Sequence, residues 1–232
     1  MSNGTVYIGS SDTRLYAVVA TDGTERWTFP AQDRVTARPV FDEGTLYVGD
    51  FANNFYAIEA ATGNEVWTFE ADDSSVSHSS NESIYRSATL VGDRLYFGST
   101  NGYLYCLDRN DGSRIWSRAT DSDIKNVPAV WDDTVYFASR LGKLYALDAE
   151  TGETHWTSEK LNDPLLCDPT LVDGTVYIGD RYGVLHALDA ESGEQLWEFH
   201  TDDAILSKPV VTDDSIYFGS NDGYIYAIER TI

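Results

Sequence analysis

Six of the sixteen basic side chains in this acidic chain fall in or near two recurring loops of a repeated pattern, and they are its first candidates for chemistry. Arg38 and Lys208 each stand immediately before a proline that opens a short apolar run, and Arg86 sits one residue earlier in its own copy. Arg14, Arg140 and Arg181 lie in or beside turns rich in Gly, Asp and Ser. If these turns share one rim, their cations could hold a small anionic ligand or an acidic peptide through charge-assisted hydrogen bonds. The competing reading is that loop residues vary freely and a few bases offset nearby acids.

Other constellations are poorer. His78, His155, His186 and His200 lack zinc-ligand spacing. His186 takes the place of a recurring Tyr and reads as a packing substitution. Asp121-Ser122-Asp123 begins like a calcium loop but has neither its glycine nor its closing glutamate. A phosphate-cradling Gly loop and a G-x-S-x-G elbow are both absent. Cys106 and Cys167 fall in different copies of the pattern, which argues against a disulfide. These observations predict no catalytic residue, no metal site and no resident cofactor.

The elements that must position the basic set are announced by the pattern itself. A Tyr followed by an apolar residue, usually with Gly next, occurs at Tyr7, Tyr47, Tyr96, Tyr136, Tyr177 and Tyr217, with spacings of 40, 49, 40, 41 and 40. A second ring follows nine residues on, at Tyr16, Tyr56, Tyr105, Tyr145, His186 and Tyr226. A Trp closes five of the six units, at Trp27, Trp67, Trp116, Trp156 and Trp197. Three markers in one rhythm establish an internal repeat. Within a unit the apolar period is two: Thr175-Val176-Tyr177-Ile178-Gly179 and Val184-Leu185-His186-Ala187-Leu188 read as strands joined by a tight turn at Gly183. Strands around Trp197 and from Ile205 to Val211 complete a set of four. Four short strands per unit predict an all-β fold, a β-propeller of four-stranded antiparallel blades with six repeat units in one domain over 1–232.

The turn before the Trp carries a resemblance. Ala146-Leu147-Asp148-Ala149-Glu150-Thr151-Gly152 leads to Trp156. The same pattern returns as Ala187, Asp189, Ser192, Gly193 and Trp197, and as Ala57, Glu59, Thr62, Gly63 and Trp67. This is similar to the tryptophan-docking motif of the PQQ-like repeat propellers, and the resemblance covers nearly the whole chain. It implies that each such Trp packs against the neighbouring blade. It also implies a strand order in which the Pro-bearing strand is innermost and the Trp strand outermost. On that order the first blade lacks its inner strand and the last its outer one, giving about 22 strands. Two arrangements are then open: a six-bladed ring with two incomplete blades, which is preferred, or part of a larger propeller whose exposed edges pair with another chain.

Quinoprotein dehydrogenases of that family imply eight blades, pyrroloquinoline quinone on a Trp platform, adjacent cysteines, calcium and a catalytic Asp. Here six units are present, no cysteines adjoin, and no residue matches the Asp by motif. The one Trp outside the docking series, Trp131, reads as an apolar plug at the end of an inner strand.

Composition bounds the rest. Asp and Glu number 38 against 16 Lys and Arg, for a net charge of −22. The acids are spread over every repeat, which reads as a hydrated, salt-adapted surface of haloarchaeal kind and argues against nucleic acid as partner. No apolar run approaches the roughly 20 residues of a spanning helix, and Met1 leads directly into strand-like sequence without a signal peptide, which leaves a cytoplasmic and an exported surface location both open. A Ser-rich insertion, Asp72 to Arg86, should form a loop on the rim of the basic residues. Asn81-Glu82-Ser83 and Asn3-Gly4-Thr5 match the short glycosylation sequon. The expected function is a non-catalytic binding or assembly scaffold, with a protein partner or small anionic ligand at the propeller mouth. The alternatives are a quinone- or metal-dependent oxidoreductase or its degenerate relative, and the sensor propeller of a larger signalling protein.

Overall fold

A computed structural model describes residues 4–71, 83–161 and 164–230. His78, the serines of the insertion from Ser74 to Ser80, Asn3 and Asn81-Glu82 lie outside the described residues. The described residues form 22 strands in six antiparallel sheets and no helix. The chain divides into two compact units, Met1–Thr120 and Asp121–Ile232.

In the first unit, one sheet is three-stranded: β1 (Thr5–Gly9), β2 (Arg14–Val19) and β3 (Glu25–Pro30). The second runs β4 (Val40–Asp42), β5 (Thr45–Gly49), β6 (Asn54–Glu59) and β7 (Glu65–Glu70). The third runs β8 (Thr89–Val91), β9 (Arg94–Gly98), β10 (Tyr103–Asp108) and β11 (Arg114–Ala119). The second unit repeats the plan. Its first sheet has β12 (Ala129–Trp131), β13 (Thr134–Ala138), β14 (Leu144–Asp148) and β15 (Thr154–Thr157). Next come β16 (Thr170–Val172), β17 (Thr175–Gly179), β18 (Val184–Asp189) and β19 (Gln195–His200). The last sheet has β20 (Val210–Val211), β21 (Ser215–Gly219) and β22 (Ile225–Glu229). The strand count and the two three-stranded sheets are as the repeat predicts. The Pro-bearing strands are shorter than expected. Proline cannot donate to a ladder, and a side chain takes over the pairing just ahead of it in the last sheet: Ser207 Oγ donates to Gly219 O at 3.0 Å and accepts from Gly219 N at 2.8 Å.

Two devices recur where sheets meet. The first is a small residue opposite each Trp. Ala17, Ala57, Cys106, Ala146 and Ala187 pair with Trp27, Trp67, Trp116, Trp156 and Trp197, and the register shifts immediately after each. Such a bulge re-aims the strand beyond it. The position also accounts for Cys106, a fully buried stand-in for alanine whose thiol burial pushes up to about 12.

The second is a shared acceptor. Trp27 Nε1 donates to Ala60 O at 3.1 Å, and Tyr7 Oη donates to the same oxygen at 3.2 Å. Trp67 and Tyr47 converge on Arg109 O at 3.0 and 3.4 Å. In the second unit Trp156 and Tyr136 converge on Ala190 O at 3.0 and 3.1 Å. A carbonyl has two lone pairs, so each bond joins one sheet to the next without leaving a polar atom unmet. The indole lies so close to the neighbouring turn that a Cβ on Gly112 would fall 2.6 Å from the Trp67 ring, and the residue has a φ of +71°. Glycine is required there twice over.

Ahead of that glycine an acid closes the turn. Asp189 Oδ1 accepts from the Ser192 N–H at 2.7 Å, the Ser192 hydroxyl at 2.8 Å and the Glu191 N–H at 3.1 Å. Asp148 makes the same set with Thr151 and Glu150. These donors, the Thr151 backbone and Ser192 hydroxyl foremost, hold both carboxyls below their usual range. A depressed folded pKa contributes stability above the unfolded value and loses it as pH falls through the folded one. The variant Asp148→Ala/Asp189→Ala is therefore expected to melt below the parent at neutral pH. The gap should narrow as pH drops below about 4. Thermal unfolding at matched high salt checks this, and a pH-independent gap would contradict it.

Candidate functional site

The most elaborately built surface of the first unit is organised by one buried acid. Asp50 follows Gly49 at the end of β5 and is fully buried. Its carboxylate accepts from the N–H groups of Ala52 and Asn54, each at 2.9 Å, and so shapes the β5–β6 hairpin. It also accepts from the Tyr56 hydroxyl at 2.8 Å and from the Gln32 and Asp33 N–H groups at 3.2 Å. Those last two bonds anchor the segment arriving from β3. Burial, reinforced by the Asp50 bond, raises the pKa of Tyr56 and keeps it a donor. On the other side, Ile84 N donates to Asp50 O at 2.9 Å, and a Cβ on Gly49 would meet Ile84 at 2.3 Å. Three stretches of chain are thus clamped on one residue.

What the clamp presents outward is a row of aromatic and cationic groups. Phe51 N donates to Arg34 O at 3.0 Å, and the Arg34 guanidinium lies 4.4 Å from the centre of the Phe51 ring. Phe51 meets Tyr85 at 5.6 Å between centroids, and the Arg86 guanidinium lies 5.7 Å from the Tyr85 ring. Arg38 is joined to the same region through its carbonyl, which accepts from Ser87 Oγ at 2.8 Å. Arg34, Arg38, Tyr85 and Arg86 are all exposed. Arg34 Nε also stands 3.6 Å from Asp33, a solvent-screened pair of little weight.

The structure accordingly brings Arg38 and Arg86 into one neighbourhood. Arg14, at the start of β2, is exposed at the far end of that strand's hairpin, with Asp12 in the same turn. In the second unit Arg140 is 4.0 Å from Asp123, which also faces Lys125 at 3.5 Å, so local acid offsets it. Arg181 and Lys208 are exposed on loops fastened by Asp180, the counterpart of Asp50: Ile205 N donates to Asp180 O at 2.9 Å. Sequence reasoning named Arg38 and Arg86 but missed Arg34 and Tyr85. The available signal was the acid after Gly at Asp50 and Asp180, where four other units have Ser. His186 also proves to do more than pack: its Nε2 lies 3.1 Å from Asp180 Oδ2, taking the role of the Tyr56 hydroxyl.

Trp131 is a correction. It ends β12 as expected, but it is 40% exposed and plugs nothing. It walls a groove of about 460 Å³ in the second unit, together with Tyr136, His155, Trp156 and Glu191. The donor sets do not fit a quinone–metal centre. Cys106 and Cys167 are buried in separate units, and no three His, Cys, Asp or Glu side chains converge among the described residues. No helix among them is long and apolar enough to cross a membrane.

Removing the clamp is expected to cost about 3 kcal/mol or more in Asp50→Ala, since several buried donors lose a charged acceptor. Denaturant unfolding in high salt checks it, and a change under about 0.5 kcal/mol would contradict it.

A family model described as outer membrane protein assembly factor BamB matches residues 1–91, 85–170 and 160–232. No curated protein matches. Among solved structures, the computationally designed Ika8 protein is similar at a TM-score of 0.83 and 16% identity, over 99% of this chain and 69% of that one. BamB from Moraxella catarrhalis is similar at 0.62 and 19%, over 99% and 83%. A europium-containing methanol dehydrogenase is similar at 0.82 and 16%, over 99% and 66%. At these identities the likeness shows a fold, the β-propeller, with six repeat units of which the first and last are incomplete.

Proposed function

Because the chain belongs to the family of the outer membrane protein assembly factor BamB, we propose that it is a non-catalytic propeller scaffold that binds a protein partner through an acidic segment. The observation that carries this reading is the Arg34–Phe51–Tyr85–Arg86 row with Arg38 beside it. Arginine and tyrosine dominate the residues that matter at protein interfaces, where a flat ring and a forked cation give area and charge-assisted bonds with few rotamers to freeze. A rigid mount adds to this, because the row is fastened to buried backbone and pays little ordering entropy on binding. In a chain of net charge −22 a local basic surface also selects its partner, since acidic ligands are repelled elsewhere.

The wider reading belongs with it. Residues 1–232 act as one propeller domain whose Trp residues fasten neighbouring blades. The six basic side chains serve one rim, and the acid-rich surface suits a salt-loving, haloarchaeal setting at or outside the cell surface. The family's assembly role supports the scaffold over a quinone-dependent oxidoreductase.

Titration of a fluorescent oligoglutamate peptide in concentrated salt tests the surface. Arg38→Ala/Arg86→Ala and Tyr85→Ala should each weaken binding by about tenfold or more, with unchanged unfolding curves. Binding that is absent from the parent, or equal in the variants, would contradict the proposal.

A further inference from the structure

Arg109 and Arg230 hold one position of the repeat, just past the third strand, and their side chains are only 15% and 7% exposed. The main chain marks the position: Arg109 N donates to Asp93 O at 3.0 Å, Arg230 N to Asp214 O at 2.9 Å and Ala190 N to Gly174 O at 2.8 Å. Both arginines reach back to acids of the preceding sheet. Arg109 Nη1 donates to Asp42 Oδ2 at 2.7 Å and Nη2 donates to Glu43, in the joint where Tyr47 meets the Arg109 carbonyl. Arg230 Nη2 donates to Asp173 Oδ2 at 2.6 Å, beside Tyr177. Between the first two sheets the same position is Ala60, and there Arg26 of β3 lines the groove with Glu59 and Glu65. Three of the four joints inside the two units thus set an arginine of the chain's own among acids.

The fourth joint, between the first two sheets of the second unit, differs. Ala190 stands at the position of Arg109 and Arg230, and His155 at that of Arg26. What remains is the groove of about 460 Å³ walled by Trp131. Its receiving groups are still in place: Tyr136 matches Tyr47 and Tyr177, and Asp132 matches Asp173. The Asp132 carboxylate has no partner among the described residues. Asp189 and Glu191 add negative charge from the next sheet's turn, and His155 is the one lining side chain able to carry the opposite sign. Burial raises the pKa of Tyr136 and the charges of Asp132 and Asp189 add to it, whereas at Tyr47 the Arg109 cation works against burial. Trp131 supplies a ring where the counterparts are Asp42 and Val172.

We propose that this groove binds an arginine side chain presented by a partner polypeptide, in the manner of the arginines that the chain seats in its other joints. The guanidinium lies on the Trp131 face and donates to the Asp132 carboxylate. A planar, weakly hydrated cation with a fork of donors suits a ring beside an acid better than a compact ammonium does. A peptide suits it better than free arginine, whose own carboxylate would meet Asp132, Asp189 and Glu191. The site is separate from the arginine–aromatic row of the first unit and selects the opposite charge.

Titration of the 232-residue chain with acetyl-Gly-Gly-Arg-Gly-Gly-amide, followed by NMR at the Trp131 indole N–H, tests the assignment. The parent signal should shift saturably, and the lysine twin of the peptide and free arginine should each bind about fivefold or more weakly. Asp132→Asn, at an exposed position, should weaken binding by about threefold or more. Ala190→Arg should abolish the shift, because its own side chain fills the groove as Arg109 and Arg230 fill theirs. Thermal unfolding checks that both variants fold, and Asp132→Asn carries the test by itself if Ala190→Arg does not. A parent signal that does not saturate would overturn the proposal. So would lysine peptide or free arginine binding as tightly as the arginine peptide, or a folded variant binding like the parent.

Discussion

At three joints between neighbouring sheets an indole and a phenol meet on one carbonyl oxygen, and much else in the sequence follows from making that meeting possible. The Trp must reach out of the fourth strand, so its cross-strand neighbour is Ala or Cys and the ladder slips by one residue beside it. The turn that receives the ring must carry Gly, because a Cβ on Gly63, Gly112 or Gly193 would collide with the indole. An acid ahead of that Gly ties down the turn amides, as at Asp148 and Asp189. An aromatic cluster then fills the remaining space: the Tyr and Trp of a unit lie 5.8–5.9 Å apart in all five units that have both. Nearly every invariant feature of the forty-residue pattern therefore serves one joint.

That economy explains why the fold was legible and the site less so. Tyr47, Gly63 and Trp67 return in every complete unit, and Ala57 in all but the one with Cys106, because each joint needs the same parts, and a repeat makes such needs visible without any relative for comparison. The two incomplete sheets followed from counting once the family resemblance had supplied the strand order. The binding surface depends on what departs from the pattern. Asp50 is buried at a place where most units have Ser, and it pulls Arg34 and Ile84 together from loops fifty residues apart in sequence. Nothing in period or spacing brings Arg34 over Phe51 or Tyr85 against it. Trp131 misled for the related reason that a large apolar side chain in a strand suggests burial, although its strand ends at a surface groove.

The acidic surface and the apolar joints divide the work between them. Joints of buried Leu, Ile, Phe and Tyr hold the sheets together irrespective of salt, while the spread of acids keeps the outside hydrated and disfavours all but selective contacts. Against that background, a few arginines on aromatic rings stand out electrostatically, at a place where the repeat's own chemistry is altered.

The shared carbonyl is the central claim, and exchange of the indole N–H protons measures it most directly. In assigned NMR spectra after transfer to heavy water, the Nε1 protons of Trp27, Trp67 and Trp156 should exchange slowly, at rates tracking opening of the sheet joints, while that of exposed Trp131 exchanges at once. Equal, rapid exchange at all four would mean that the indoles do not hold the sheets, and the account built on them would fail.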